Sequence, residues 1–334
     1  MKMTDMTLNA EQDASRPGQT STLQWLSVAR LLGPFVILLL LVGIAAALSP
    51  TIVSLRSMRS IAVDAAPLVV LVMGSALPIL IGSIDLSVAS VATMTGVAIG
   101  LLSPHWGGWG IVATFVAAIA FGACQGFVQA RFQVPSFAVT LGTSGVLAGL
   151  AQFATGASSV PVEGNLAPLV IAGSSWIGIP VSVLVMLAVW LCLIGAMRYL
   201  KLGRRVYAVG LQERAAMMSG IDATALKVVV FAISSGCASI AGILFVSETM
   251  FASPTLAQAT VLPAVVGVVL SGVAISGGVG TIGLALVGGL TAAFLRVACV
   301  AIGLPPTSQD MVYGIVVLIA VAATLDRKKL GMVK

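Results

Sequence analysis

The chain has 334 residues, of which 59% are hydrophobic and only 8% charged, and its mean hydropathy is +1.11. A soluble domain ordinarily carries about a quarter charged residues, so this composition excludes a soluble fold and points to the membrane. The net charge of +6 does not mark a nucleic-acid partner, because the basic residues form no stripe with interleaved aromatics. They cluster at loop ends instead.

A helix needs about 20 apolar residues to cross a bilayer, and ten segments approach that measure. They run Leu31 to Leu48, Ala65 to Ile81, Leu86 to Leu102, Gly107 to Ala130, Val134 to Phe153, Ile179 to Met197, Val228 to Ser247, Val261 to Ile275, Thr281 to Ile302 and Met311 to Leu325. The expected fold is all-α and polytopic, with about ten transmembrane helices in one domain (31–325). A polar tail (1–30) precedes it and a basic tail (326–334) follows. A cytoplasmic N-terminus places 14 of the 17 Lys and Arg residues on the inner side, so the positive-inside rule favours both termini in the cytoplasm. Arg56 and Arg59, in the first outer loop, run against that rule. Met1 to Gln24 is polar and reads as poorly ordered. Ala45-Ala46-Ala47 resembles a signal-peptidase site, but the stretch before it is too long for the usual charged leader, so the first segment is expected to remain a helix.

Cys124, Cys192, Cys237 and Cys299 are far apart in apolar sequence, with no C-x-x-C pair and no neighbouring histidine. They read as small buried hydrophobes, and no metal site is expected. His105 lies beside Trp106 and Trp109, a grouping that suits a membrane–water interface. Gly96/Gly100, Gly122/Gly126 and Gly145/Gly149 have the spacing that lets helix backbones approach closely in lipid. Four-residue glycine spacing reports packing, not substrate.

Three stretches depart from membrane filler. In Ile81 to Ser90, Asp85 is the only charge between Asp64 and His105. Ser83, Asp85, Ser87 and Ser90 there are candidates for a translocation path or gate. The same residue types also cap a helix start where the chain breaks between two spans, and both readings stand. The second stretch is the longest inner loop, 198–227. Gln212 to Ser219 is a short helix candidate there, bracketed by Gly210 and Gly220, with Leu211, Ala215 and Met218 on one face. Such a helix can dock into a partner's groove; alternatively the loop is simply solvated and positively charged. The third is a Gly-rich inner turn containing Gly277, Gly278, Gly280 and Thr281. It is not a phosphate loop, since no lysine in the chain follows a glycine.

Taken in order, these stretches resemble the inner-membrane permeases of ribose-type ABC importers, a family that also handles xylose, arabinose, galactose and autoinducer-2. The resemblance covers nearly all of Leu31 to Lys329. Ile84 to Val88 and Ser90 match the family's first motif, with Ser83 and Ala89 in place of glycines. Leu202-Gly203-Arg204, Tyr207 to Gly210, Glu213, Ala215-Ala216 and Ser219-Gly220-Ile221 are similar to its coupling segment, and Gly277-Gly278 with Gly280-Thr281 to its Gly-rich turn. The resemblance implies that Gln212, Glu213, Arg214, Ala215, Ala216, Met217, Ser219 and Gly220 press into a separate ABC ATPase subunit. That subunit would bind ATP-Mg, leaving this chain without a cofactor and without enzymatic activity of its own. It further implies a periplasmic sugar-binding protein received by the outer loop 154–178, which holds Pro161, Glu163, Asn165 and Pro168. A second permease, identical or a paralogue, would complete the pair in the bilayer. The chain departs from the family pattern at Ala148, at Thr260 to Val266 and at Ser271, positions that bear on substrate identity.

Two other classes are consistent with parts of the sequence. An ion-coupled secondary transporter would use Asp85 and Arg296 as coupling charges. A membrane-embedded enzyme lacks an evident acid–base or metal constellation. An arginine inside a span is expensive, so Arg296 is expected to snorkel outward or to pair with an outer carboxylate such as Asp310.

Overall fold

The computed structural model describes residues 17–164 and 166–324. Asn165, the basic tail 326–334 and the start of the N-terminal tail lie outside the described residues. Each of the ten apolar segments falls on a helix. These are α1 (Pro17–Leu48), α2 (Leu55–Leu80), α3 (Val88–Trp106), α4 (Gly108–Phe132), α5 (Ser136–Thr155), α7 (Val181–Tyr199), α10 (Ala223–Thr249), α11 (Val261–Leu270), α12 (Ile282–Ala301) and α13 (Pro306–Thr324). Among the described residues, seven of them, α2 to α5, α7, α10 and α12, are long and apolar enough to cross a membrane. Short helices α6 (Ala167–Ala172), α8 (Lys201–Leu211) and α9 (Glu213–Met218) occupy the long loops. α1 begins within the stretch read as poorly ordered, at a proline whose fixed φ suits a helix start.

Helix α2 is the centre of the bundle. Every residue from Ala65 to Leu80 is buried, and a helix apolar on all sides has to be surrounded by others. α10, α12, α11 and α7 pack around it, while α4 lies along α10 and α3 bridges α4, α5 and α10. Two of the three glycine pairs make close approaches. A Cβ at Gly126 would stand 2.6 Å from the Lys227 carbonyl, and one at Gly100 would stand 2.7 Å from Ala252 Cβ. Gly145 and Gly149 on α5 face open space, as does most of that helix, whose Leu141, Val146 and Phe153 are exposed. Cys237 and Cys299 are buried as expected, but Cys124 and Cys192 lie on exposed faces of α4 and α7.

In the outer loop, Val160–Pro161 (β1) pairs antiparallel with Phe251–Ala252 (β4), and Ser175–Trp176 (β2) pairs with Ile179–Pro180 (β3). The first pairing ties the loop to the end of α10.

Candidate functional site

Between α2 and α3 the chain leaves the helix over Ile81–Ser87, turning at Gly82, whose φ of +75° is open to glycine at little cost. Non-helical backbone at membrane depth has to find hydrogen bonds within the protein, and here α5 supplies them. Ser136 Oγ accepts from the Ile84 N–H at 2.9 Å, and Thr140 Oγ1 accepts from the Leu86 N–H at 3.2 Å and donates to the Ile84 carbonyl.

Asp85 is 4% exposed. Its Oδ1 accepts from the Ser87 N–H (3.0 Å) and from Ser87 Oγ (2.6 Å), and its Oδ2 accepts from Ser234 Oγ on α10 (2.8 Å). Ser87 stands at the N-cap of α3. The carboxylate thus closes a local turn on the N-cap residue, without a side-chain bond to the N–H groups of the helix's first turn, and also pins the break to α10. Gln125 Nε2 on α4 reaches Ser87 Oγ at 3.0 Å, Gln129 Nε2 reaches Ser83 Oγ at 3.0 Å, and Ser90 bonds Ser144 on α5 at 2.8 Å. The Ser83–Gln129 and Ser90–Ser144 bonds stand apart, whereas Asp85 and Ser87 join Gln125 and Ser234 in one buried polar cluster spanning the break, α4 and α10. Its partners were not identifiable from local sequence, since they lie between 38 and 149 residues away.

At the same end of the bundle, the coupling candidates fold as two helices. α8 buries Gly203, Val206 and Val209, an i, i+3, i+6 face, and carries the chain to α9. The exposed side of α9 presents Arg214, Ala215, Met217 and Met218, with Met218 91% exposed and preceding Leu211 68% exposed, while Ala216 faces inward. Glu213 at its first turn forms an ion pair of 2.6 Å with Lys227, whose side chain is nearly buried at the base of α10. Gly220 ends the segment at φ +82°.

The Gly-rich turn meets both. The Gly278 N–H donates to the Leu80 carbonyl at the end of α2 (2.8 Å), and Tyr207 Oη on α8 donates to the Gly280 carbonyl (3.0 Å). Burial raises the pKa of the Tyr207 phenol and so keeps its proton in place for that bond. A Cβ at Gly277 would stand 2.7 Å from Gly82 N, and one at Gly210 would collide with the Leu80 carbonyl and stand 2.6 Å from Gly278 N. Gly277, Gly278 and Gly280 all have positive φ, and Thr281 stands at the N-cap of α12. The three stretches singled out in the sequence are thus one contact. The broken helix pair, the end of α8 and the Gly-rich turn meet backbone to backbone at Leu80, Gly82, Gly210 and Gly278, and the Tyr207 side chain adds a further bond.

Arg296 is exposed on α12 near the opposite end of the bundle and shares a cavity with Asp310. Among the described residues the two form no ion pair. Thr260 and Pro263, within one of the stretches that depart from the family pattern, line the same cavity.

A polytopic helical bundle with a broken central helix seated on an exposed surface helix defines a membrane transport component. A family described as the permease component of branched-chain amino acid transport systems matches residues 57–321. Ribose import permease protein RbsC of Escherichia coli (strain K12) is 32% identical over 302 residues, covering 87% of this chain and 92% of the relative. RbsC of Bacillus subtilis (strain 168) is 31% identical, covering 90% and 94%. Autoinducer 2 import system permease protein LsrC of Enterobacter sp. (strain 638) is 30% identical, covering 86% and 84%. No solved structure gives a significant match. The chain belongs to this family of transport-system permeases, as a multi-pass subunit of the bacterial inner membrane.

Proposed function

We propose that the chain is the conducting subunit of an ATP-driven importer for a monosaccharide-like solute. It works with a cytoplasmic ATPase that binds ATP-Mg, a periplasmic binding protein and a second permease. Both termini are cytoplasmic and ten helices span the bilayer. The observation that carries this reading is the direct backbone contact that Gly210, near the end of α8 and just before α9, makes with the broken helix pair at Leu80. Leu211 at the end of α8 and Met217 and Met218 on α9 are exposed beyond the bundle while Glu213 is anchored to Lys227, so a partner gripping α9 pulls on the base of α10. Seven residues further along α10, Ser234 holds Asp85. A push at α9 therefore reaches the break through one rigid helix and two short polar links, and closure of the ATPases tilts the bundle between outward and inward states. The outer loop 154–178, held by β1 and β4, receives the binding protein.

Glu213→Arg together with Gly220→Pro tests this reading. The first reverses one charge of the ion pair, and the second places a residue locked near φ −65° where the backbone needs +82°. The double variant is expected to fold, to hydrolyse ATP in the assembled transporter and to import nothing. Unchanged import contradicts α9 as the point of energy input.

A further inference from the structure

Past Glu163 the outer loop carries no charged residue, and the next one in the chain is Arg198. α6 buries Leu169 and Ala172, yet Val170 and Ile171 on its other side are 61% and 59% exposed. A surface helix in water turns polar residues outward, and Ala167–Ala172 has none. The β2–β3 hairpin continues the apolar surface, with Trp176, Ile177 and Ile179 all exposed. Single exposed apolar residues are ordinary, but a contiguous set marks a contact. The hairpin's two-residue turn has positive φ at both positions, Ile177 at +51° and Gly178 at +81°. Such turns favour Asn-Gly, because a β-branched side chain is strained in the left-handed region. Isoleucine thus suits neither the backbone of this turn nor contact with water, and an apolar surrounding accounts for it. The backbone is equipped for that surrounding. Ser175 pairs with Pro180 and Trp176 with Ile179, the Val181 N–H donates to the Ser174 carbonyl (3.0 Å), and Ser174 Oγ donates to the Ile171 carbonyl (2.7 Å).

From these features we infer that residues 167–180 form an interfacial membrane anchor, with α6 lying among the lipid headgroups and the Trp176–Ile177 tip entering the acyl-chain boundary. The bilayer is the occupant because Val181, directly after β3, opens α7, so the patch is continuous with a helix that spans the membrane. Trp106 and Trp109, both exposed, lie at the same end, where Pro168 stands 3.6 Å from the position of a Cβ at Gly108. Tryptophans gather at membrane–water interfaces. A Cβ at Gly173 would stand 2.6 Å from the Ser247 carbonyl, so the anchor also holds the outer end of α10, the helix whose base carries Lys227. The inference deepens the proposed role of the outer loop and rests on that reading for the leaflet it enters. Residues 156–164, with Glu163, stay in water for the binding protein, while 167–180 lie in lipid.

Fluorescence quenching of the full chain in phosphatidylglycerol–phosphatidylethanolamine nanodiscs tests it, with the exposed native thiols removed as Cys124→Ala and Cys192→Ala. A fluorophore is attached at Ser175→Cys or, as the aqueous control, at Glu163→Cys, both exposed positions. The Ser175 label is expected to be quenched severalfold more by phospholipid carrying a nitroxide near its headgroup than by aqueous iodide, and the Glu163 label the reverse. No ATPase is needed, so the anchor and the importer reading fail separately: loss of ATP-driven uptake in the assembled transporter overturns the importer alone. Iodide quenching at Ser175 equal to that at Glu163 overturns the anchor. So does shielding of Ser175 from iodide only once the binding protein is added, which would assign the hairpin to that partner. If the label disturbs the hairpin, brominated phospholipid reads Trp176 itself. Wild type should then lose a larger share of its tryptophan emission than Trp176→Phe, and an equal loss overturns the anchor.

Discussion

Replacing Gly210 with alanine probes the junction where the three stretches meet. The added methyl would fall on the Leu80 carbonyl and stand 2.6 Å from Gly278 N, so either the chain moves or the 2.8 Å bond between those two groups is lost. Overpacking costs about 1–3 kcal/mol and the lost hydrogen bond about 1 kcal/mol. The gain in helix propensity from glycine to alanine offsets about 1 kcal/mol. The net is a destabilisation of about 1–3 kcal/mol, read from denaturant unfolding of the purified chain in detergent. Gly142→Ala is the internal control, because nothing lies within 4 Å of a Cβ there, and it should be neutral or slightly stabilising. In the assembled transporter Gly210→Ala should also lower uptake per ATP hydrolysed, since it separates α8 from the end of α2. A Gly210→Ala chain as stable as Gly142→Ala, with full uptake, refutes the tight junction.

Asp85→Asn preserves an acceptor for Ser87 and offers a donor to Ser234 Oγ, so it should fold and transport. Asp85→Leu strands three buried donors at about 1–3 kcal/mol each and should fold poorly; a stable Asp85→Asn chain that fails to transport would show that the charge itself takes part. Tyr207→Phe should cost about 1 kcal/mol through the orphaned Gly280 carbonyl. Because burial raises the Tyr207 pKa above 10.0, folding tightens proton binding. The hydroxyl's contribution is fully present below about pH 10 and fades as pH rises through the raised value, which unfolding of wild type and Tyr207→Phe between pH 7 and 11 measures.

Periodicity and length made the apolar segments legible, and the structure places a helix at each. Their ends were less so. α2 begins at Leu55 rather than Ala65 because a helix carries Arg56, Arg59 and Asp64 toward water as readily as it carries leucine toward lipid. α11 stops at Leu270, short of Ile275, because Gly272 adopts φ +81°. Within the inner loop, Gln212 to Ser219 was recognisable as a helix from its flanking glycines, whereas α8 was read as loop. The spacing of Leu202, Val206 and Val209 was the available sign. The candidate residues themselves were visible as polar exceptions in apolar sequence. Their convergence was not, because Leu80, Gly210 and Gly278 carry no side-chain chemistry and meet only through the fold. Arg296 shows the same limit, since a cavity built from six helices leaves no local signature.

The central claim is energy input from ATP through a separate subunit. Its most direct test is uptake of radiolabelled sugar into proteoliposomes holding this chain with its partner permease, ATPase and binding protein. Uptake should require internal ATP-Mg and the binding protein and should ignore a proton or sodium gradient. Uptake driven by either gradient in vesicles that hold the permease alone would contradict it.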